Sequence, residues 1–303
     1  SNTVHHMVEM NRSITFVHAP EMRYEQNYGT LFSPVWAYTL ASYLPDGWQP
    51  TVFDCVVEPI ASIEPANVFA FSGINQDLDS IIGAMRELRA RFPASTYIVG
   101  GPLTWSFEQE GKLDLLAPFD HIFILDGEET LPRFLRAFGR SDEPQPKVIR
   151  AQRFPLERSR AISFELLRPK AGNYYGAILE VSRGCPFLCE FCDIRVLPGN
   201  NRANNRAIEI IVKEIDAYHK AGITKFQFAC DNFIGDPKWA LDCVDAILTW
   251  KTRTGAQPSI FTWLTINLFN YPDLMRKMRL SRFSILFIGI ESVNQNSLLE
   301  TAK

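Results

Sequence analysis

Two hydrophobic patterns alternate along the first 140 residues of the chain. Short apolar runs rich in β-branched and aromatic residues predict buried strands at 14–17, 51–54, 68–72, 96–99 and 122–125. Longer stretches with apolar residues three or four positions apart predict helices at 34–44, 77–92, 105–116 and 128–138. Alternation of strands with helices is typical of a parallel sheet with helices on both faces. The pattern therefore predicts a doubly wound, Rossmann-like α/β domain over residues 1–140.

The apolar period is lost between residues 139 and 160, where the sequence is polar and contains prolines. We therefore assign residues 141–172 to a linker between two domains. Beyond it, strands are predicted at 177–181, 225–229, 260–266 and 284–290, with helices at 207–221, 237–252 and 272–278. Residues 173–303 thus predict a second α/β domain that contains four βα-type units.

The composition is that of an ordinary globular protein, since 46% of the 303 residues are hydrophobic and 21% are charged. The formal net charge of -3 gives no basic surface that would indicate a nucleic acid or an anionic membrane as a partner. No stretch approaches the roughly 18 consecutive apolar residues of a spanning helix. The N-terminus also lacks a basic region followed by an apolar run. We therefore expect a cytoplasmic protein with neither a nucleic acid nor a membrane as a partner.

Three of the six cysteines lie within eight positions, in the segment SRGCPFLCEFC that directly follows a predicted strand. The spacing CxxxCxxC puts Cys185, Cys189 and Cys192 on one loop. Soft thiolates bind iron-sulfur clusters or zinc, and a structural zinc site normally needs a fourth Cys or His. The remaining candidates for a fourth ligand are far along the chain, at Cys230, Cys243 and His219. The loop favours a cluster with one iron open to another ligand, and zinc with a distant histidine is the alternative.

The stretch LEVSRGCPFLCEFCDI closely resembles the signature of the radical S-adenosylmethionine (SAM) superfamily. The resemblance implies that Cys185, Cys189 and Cys192 hold a [4Fe-4S] cluster after the first strand of a partial βα barrel, with SAM bound to the fourth iron. It also implies that Phe191 lies against the adenine of SAM. Members of this family cleave SAM reductively to a 5'-deoxyadenosyl radical, so an electron donor such as flavodoxin or ferredoxin is an expected partner.

Further matches follow at the ends of the next strands. The turn Phe228-Ala229-Cys230-Asp231-Asn232-Phe233 resembles the polar turn that faces the methionine end of SAM in this superfamily. The resemblance makes Asp231 and Asn232 candidates for cofactor binding. Cys230 is a departure, because many relatives carry a second acidic residue at that position.

Two later strands supply the remaining candidates of the second domain. The third strand carries Thr265 and Asn267, which are polar positions that point into the barrel or polar strand ends satisfied by backbone or water. The fourth strand ends at Glu291, which resembles the strand end that contacts the ribose of SAM. The barrel of the superfamily usually has six βα units, so four units lead us to expect a truncated barrel.

Small residues follow the predicted strands of the first domain, where ligands bind in doubly wound sheets. Glycine there either lets a large flat ligand approach or simply terminates a strand. The succession resembles the cobalamin-binding domain of cobalamin-dependent radical SAM enzymes, which makes cobalamin an expected cofactor although the DxHxxG motif of many cobalamin proteins is missing. The candidate cofactor-binding residues are Ser72, Gly73, Gly100, Gly101, Pro102, Gly127 and Glu128.

These resemblances imply methyl transfer from cobalamin to an unactivated carbon of a small-molecule substrate. Two alternatives stay open. One is a radical SAM enzyme whose first domain binds no cobalamin and which catalyses a cyclisation, a rearrangement or another non-methylating reaction. The other is a non-catalytic protein that binds a cluster or zinc for structure alone.

Overall fold

The computed structural model describes residues 12–21, 32–140, 144–192, 194 and 197–300. These residues form a first unit that ends at Gln152 and a second unit that begins at Arg153 and also contains residues 32–35. No helix in this described part combines the length and the hydropathy that crossing a membrane requires.

The described residues of the first unit form six strands and four α-helices. The strands are β1 (Arg12–His18), β2 (Trp48–Asp54), β3 (Val68–Ser72), β4 (Thr96–Gly100), β5 (His121–Ile124) and β6 (Val148–Arg150). The helices are α1 (Val35–Ala41), α2 (Leu78–Arg91), α3 (Pro102–Gln109) and α4 (Gly127–Ala137). All neighbouring strands are parallel, in the order β2-β1-β3-β4-β5-β6. β1 has β2 on one side and β3 to β6 on the other, so the strand order reverses at β1 and the predicted doubly wound α/β fold is confirmed.

The central strands of the sheet in the first unit have apolar sequences, and their side chains are buried. Val17 of β1, Phe71 of β3 and Val99 of β4 belong to one hydrophobic core together with Ile81 and Leu88 of α2. Strands that are covered on both faces have nearly continuous apolar sequences, and this is the pattern from which they were predicted. The predicted strand at 68–72 coincides with β3.

Two segments differ from the sequence-based expectation. The helix predicted over 105–116 is instead α3, which ends at Gln109, followed by a separate 3-10 turn at Leu113–Leu116. Gly111 lies between them with a φ of 67°, a left-handed conformation that does not continue a helix. The segment 141–172, expected as a linker, instead contains β6, which pairs with β5. It also contains a 3-10 turn at Leu156–Arg158 with a buried leucine.

The second unit contains a four-stranded parallel sheet and a two-stranded antiparallel pair. The strands are β7 (Ala177–Glu180), β8 (Ser182–Arg183), β9 (Asn204–Asn205), β10 (Lys225–Ala229), β11 (Ser259–Thr265) and β12 (Phe283–Gly289). The helices are α5 (Phe164–Leu167), α6 (Ile208–Lys220), α7 (Pro237–Thr254), α8 (Pro272–Leu280) and α9 (Gln295–Glu300). The parallel sheet has the order β12-β11-β10-β7, and β8 pairs with β9. This sheet contains the four strands that the sequence predicts.

Local signals in the sequence set the bounds of α7. The side chain of Asp236 accepts a hydrogen bond from the backbone N–H of Trp239, and Pro237 occupies the first helical turn. Both features favour the start of a helix. Gly255 ends it in a left-handed conformation with a φ of 70°. The helix therefore extends two residues beyond its predicted end at 252.

Candidate metal and cofactor site

The cysteine motif lies on a loop that is closed at its base. Strand β8 directly precedes the motif and pairs with β9, so that Ser182 lies opposite Asn205 and Arg183 lies opposite Asn204. We call residues 184–203, between the two strands, the cysteine loop. Val181, just before β8, donates its backbone N–H to the carbonyl oxygen of Ala229 at 2.9 Å. The loop therefore begins at the carboxyl end of the parallel sheet.

Gly184 turns the chain into the cysteine loop. Its φ of 86° lies in the left-handed region, which glycine adopts without a steric cost. A Cβ atom at this position would overlap the carbonyl oxygen of Arg202 and would lie 3.0 Å from that of Asn200. The next residue, Cys185, donates its backbone N–H to the same Asn200 oxygen at 2.9 Å. The start of the loop is thus held against its end.

The three cysteines of the loop are all free thiols. Cys189 is buried, whereas Cys185 and Cys192 are half-buried. Burial raises the pKa of the Cys185 thiol. Within the described ranges, no group of three or more His, Cys, Asp or Glu side chains is close enough together to hold a metal ion in this structure. Three soft thiols on one closed loop nevertheless fit the donor set of an iron-sulfur cluster.

Residues at the carboxyl end of β10 contact the beginning of this loop. The Asp231 carboxylate accepts a hydrogen bond from the backbone N–H of Gly184 at 2.6 Å. The Asn232 amide nitrogen lies 3.8 Å from the Cys185 sulfur and 3.3 Å from the Thr265 hydroxyl oxygen. Asp231, Asn232 and Thr265 were all candidates from the sequence, and the fold brings them together beside the first cysteine.

Asn267 and Glu291 complete the strand-end candidates. Asn267 accepts a hydrogen bond from the Thr265 hydroxyl, but it lies in a 3-10 turn after β11 and not on the strand where the sequence suggested it. Glu291 follows β12 with a φ of 62°, which is unusual for a residue with a side chain. The structure thus joins Asn267 to the cluster of polar side chains and puts Glu291 on the next strand end.

Phe191 and Cys230 differ in their exposure. Phe191, the candidate for contact with adenine, is 54% exposed on the loop. Cys230 is half-buried, with its sulfur 3.3 Å from the Thr262 hydroxyl oxygen. Burial raises the pKa of this thiol to about 12, so it stays protonated at neutral pH. Cys230 therefore supplies no negative charge at the position where many relatives have an acid.

An ion pair between Glu180 and Arg183 lies next to the loop. Burial raises the pKa of Glu180, but the Arg183 guanidinium 2.6 Å away lowers it together with the guanidinium groups of Arg206 and Arg153, so the pKa lies below its usual range. For Asp231, burial has the larger effect and its pKa is raised, although the Gly184 N–H acts in the opposite direction. Glu180 is therefore the stronger acid of the two carboxyl groups beneath the loop.

A second set of contacts holds the far end of the cysteine loop, and sequence reasoning did not find it. Arg153 donates to the side-chain oxygen of Asn200, which is buried within the loop. Arg206, directly after β9, donates its backbone N–H to Val181 at 3.0 Å and forms a buried ion pair with Glu214 of α6 at 2.6 Å. An arginine that follows a loop carries no local signal of burial, because charged residues are mostly exposed.

The first unit has a small apolar cavity at the carboxyl edge of its sheet. Among the predicted residues, Ser72, Gly100, Gly101 and Gly127 line it, together with apolar side chains that include Phe16, Trp36, Phe71 and Leu131. Gly101 has a φ of 88°, and a Cβ there would overlap the Ser72 hydroxyl. Gly73, Pro102 and Glu128 are near the same strand ends but do not line the cavity. Glycine at position 101 is therefore required by the close approach of β3 and its following turn, beside the cavity.

His18 at the end of β1 is part of the loop that lacks the DxHxxG motif. The Trp36 indole N–H donates to its Nδ1 atom at 3.4 Å. Burial lowers the pKa of His18, although Asp54 and Asp77 act in the opposite direction. His18 is consequently neutral at pH 7 and accepts a hydrogen bond through one ring nitrogen.

Comparison with known proteins identifies a family whose model matches the second unit. Residues 179–302 match the model of the radical SAM superfamily. An uncharacterized methyltransferase from Synechocystis sp. is 30% identical over 277 residues, which cover 90% of this chain and 50% of the relative. The hopanoid C-2 methylase of Rhodopseudomonas palustris is 35% identical over 130 residues, covering 43% of this chain and 24% of the relative. The chain thus spans at most half the length of these two relatives.

Two solved structures share the fold. The cobalamin-dependent SAM radical enzyme OxsB, solved with aqua-cobalamin and SAM bound, has a TM-score of 0.77 over 97% of this chain and 46% of its own, at 16% identity. The radical SAM methyltransferase TsrM from Kitasatospora setae, solved with tryptophan and a SAM analogue, has a TM-score of 0.68 over 95% of this chain and 60% of its own, at 15% identity. The resemblance read from the cysteine motif is confirmed, and residues 179–302 of this chain belong to the radical SAM superfamily.

Proposed function

We propose that the second unit is the catalytic part of a radical SAM enzyme. Cys185, Cys189 and Cys192 would ligate three irons of a [4Fe-4S] cluster and leave the fourth open to the amino and carboxylate groups of SAM. With both bound, reductive cleavage of the sulfonium bond supplies a 5'-deoxyadenosyl radical. The single observation that carries this proposal is the closed cysteine loop at the carboxyl end of a parallel sheet, beside the polar ends of β10 and β11.

The chain's own residues would position SAM and limit access of water. Phe191 is exposed and therefore available to cover the adenine ring. Asp231, at the end of β10, is a polar group for the methionine portion, and Glu291 after β12 is one for the ribose hydroxyls. Thr265 and Asn267 are further polar groups for the cofactor at the end of β11. Ligands of parallel α/β folds bind at the carboxyl ends of the strands, and these residues follow that rule. An external protein such as flavodoxin or ferredoxin would supply the electron.

We further propose that the first unit binds cobalamin and that the reaction is methyl transfer to an unactivated carbon of a small molecule. The support is the edge of small residues, where Ser72, Gly100, Gly101 and Gly127 line an apolar cavity. Gly73, Pro102 and Glu128 belong to the same proposed site. The names of the two relatives and two solved structures described above agree with this reaction, since the relatives are called a methyltransferase and a methylase and the structures are of radical SAM enzymes.

One observation favours a second candidate function. The loop after β1 lacks the DxHxxG motif, and His18 is already hydrogen-bonded to Trp36. A first unit without cobalamin would belong to a radical SAM enzyme that catalyses a non-methylating reaction. Full turnover by a protein that contains iron but no cobalt would select this candidate.

Anaerobic reconstitution with iron and sulfide tests the proposal. We expect about four irons per chain, a visible absorption band of a cluster and cleavage of added SAM by dithionite. Cys189→Ala should lose the cluster, whereas the matched control Cys55→Ala, a cysteine of the first unit, should keep it. An intact cluster spectrum in Cys189→Ala, or zinc bound without iron, would contradict the proposal. Cobalamin retained after incubation and gel filtration tests the first unit separately.

A further inference from the structure

The Asn232 side chain is held in one orientation at the end of β10. It is only 2% exposed. Its amide oxygen accepts the backbone N–H of Ile234 at 3.2 Å, and its amide nitrogen lies 3.3 Å from the Thr265 hydroxyl oxygen. The neighbouring Phe233 donates its backbone N–H to Trp263 of β11 at 2.9 Å. With the amide oxygen and one N–H group in these contacts, the second N–H group is directed towards the cysteine loop.

Hydrogen bonds of the backbone fix the position of Cys185. The backbone N–H of Gly184 is bound by the Asp231 carboxylate at 2.6 Å, and that of Cys185 is bound by the Asn200 carbonyl at 2.9 Å. Two consecutive peptide groups are thus held, one by β10 and one by the far end of the loop. The Asn232 amide nitrogen lies 3.8 Å from the Cys185 sulfur as a result.

We propose that Asn232 is a positioning residue that donates an N–H group to the cluster-ligating sulfur of Cys185 and thereby raises the reduction potential of the cluster. The proposal rests on the proposed function, because it requires that Cys185 ligates iron. It differs from the expectation from sequence, in which Asn232 contacts the methionine end of SAM.

The physical reason is the charge on the sulfur. Hydrogen bonds to the sulfurs of an iron-sulfur cluster are among the factors that set its potential. Reduction adds one electron to the cluster, so a donor near a ligating sulfur stabilises the reduced form more than the oxidised form. Because Asn232 is buried, bulk water does not compete for its N–H group in the wild type. Loss of the amide should therefore make the cluster harder to reduce.

Asn232→Ser is the central variant. Serine is neutral, its hydroxyl can still accept the Ile234 N–H, and it is too short to reach the Cys185 sulfur. Asn232→Asp keeps the shape but removes the donor, and Asn232→Ala serves if the serine variant does not fold. The matched control is Thr262→Val, a buried neighbour on β11 that contacts Cys230 and not the loop.

The measurements are iron content, the midpoint potential from an anaerobic titration with dithionite and redox dyes, and the hyperfine coupling of exchangeable protons in the reduced cluster. We expect full iron loading in all variants, a more negative potential in every Asn232 variant, and an unchanged potential in Thr262→Val. An exchangeable proton coupled to the cluster should be present in the wild type and weakened in Asn232→Ser.

Three results are distinguishable. An unchanged potential in a fully loaded Asn232→Ser or Asn232→Ala protein would overturn the inference. So would a shift confined to Asn232→Asp, because the added negative charge alone would then explain it. A wild-type protein that binds no iron would instead refute the proposed function itself.

Discussion

The buried ion pair between Arg206 and Glu214 should control the stability of the region beneath the cysteine loop. Both side chains are almost fully buried, at 3% and 2% exposure. Two bonds join the guanidinium to the carboxylate, at 2.6 and 2.7 Å. The remaining donors of Arg206 bind the Ser159 hydroxyl and two backbone carbonyl oxygens. Removal of Glu214 therefore leaves a buried guanidinium without its counter-charge.

The expected cost of Glu214→Leu follows from these contacts. Removing one partner of a buried pair typically costs about 3–5 kcal/mol, because the other charge stays buried. The substitution also removes the acceptor of the hydrogen bond that the Ile162 N–H donates to Glu214 at 2.8 Å. Arg206→Met should cost a similar amount, and the double variant should cost about 2–3 kcal/mol less than the sum of the single variants.

Hydrogen exchange is the suitable assay, because it measures the stability of each helix separately. The unfolding transition of a chain with two units does not report the stability of one unit alone. Amides of α6 should exchange faster in Glu214→Leu by roughly two to three and a half orders of magnitude, from 1.36 kcal/mol per tenfold change. Amides of α2 in the first unit are the internal control and should not change. Single-variant costs below about 1 kcal/mol, or costs that add within about 0.5 kcal/mol, would refute the reasoning.

Three further predictions concern the site. Gly184→Ala should lower iron loading and destabilise the loop by at least about 2 kcal/mol, because the backbone there is left-handed and the added Cβ would overlap a carbonyl oxygen. The control is Gly172→Ala, whose Cβ would meet no atom within 4 Å and which should bind iron normally. Burial raises the pKa of Glu180, but Arg183, Arg206 and Arg153 together lower it by more, so the ionised carboxylate stabilises the fold above about pH 4.5 and this stabilisation is lost as the pH falls further; Glu180→Gln should flatten that acid dependence in urea unfolding. Because burial raises the pKa of Cys230 to about 12, this thiol should react with iodoacetamide at pH 8 about a thousandfold more slowly in the folded chain than in the urea-unfolded chain. Mass spectrometry measures both rates, and equal rates would contradict the burial of Cys230.

The sequence predicts the elements with strong local patterns and misses those that depend on distant partners. The apolar runs of β3 and β10 give their bounds directly, because each strand is long enough to show its pattern. Strand β6 has three residues, one of them Arg150, and its identity comes only from pairing with β5. A polar segment with a three-residue strand resembles a linker when the partner strand is not known.

The candidate site shows the same division. The three cysteines follow from their spacing alone, and Asp231, Asn232 and Thr265 follow from the resemblance. Their mutual contacts do not, since Asp231 and Asn232 meet the loop across 47 positions of sequence. Neither the spacing nor the resemblance indicates that Asn232 faces a sulfur. Such contacts depend on the register of β7 and β10, which the fold decides.

The pairing of β8 with β9 has a consequence for metal affinity. Bringing the ends of a loop of 20 residues together costs about 2.7 kcal/mol of chain entropy, apart from a constant term. In this chain the strand pair, the Gly184 turn and the Arg206 anchor bring those ends together during folding. A metal that binds afterwards does not have to close the loop, so its intrinsic affinity is not reduced by that cost. In this respect the loop differs from a zinc finger that folds only around its ion, although its three thiols still have to move together around a metal.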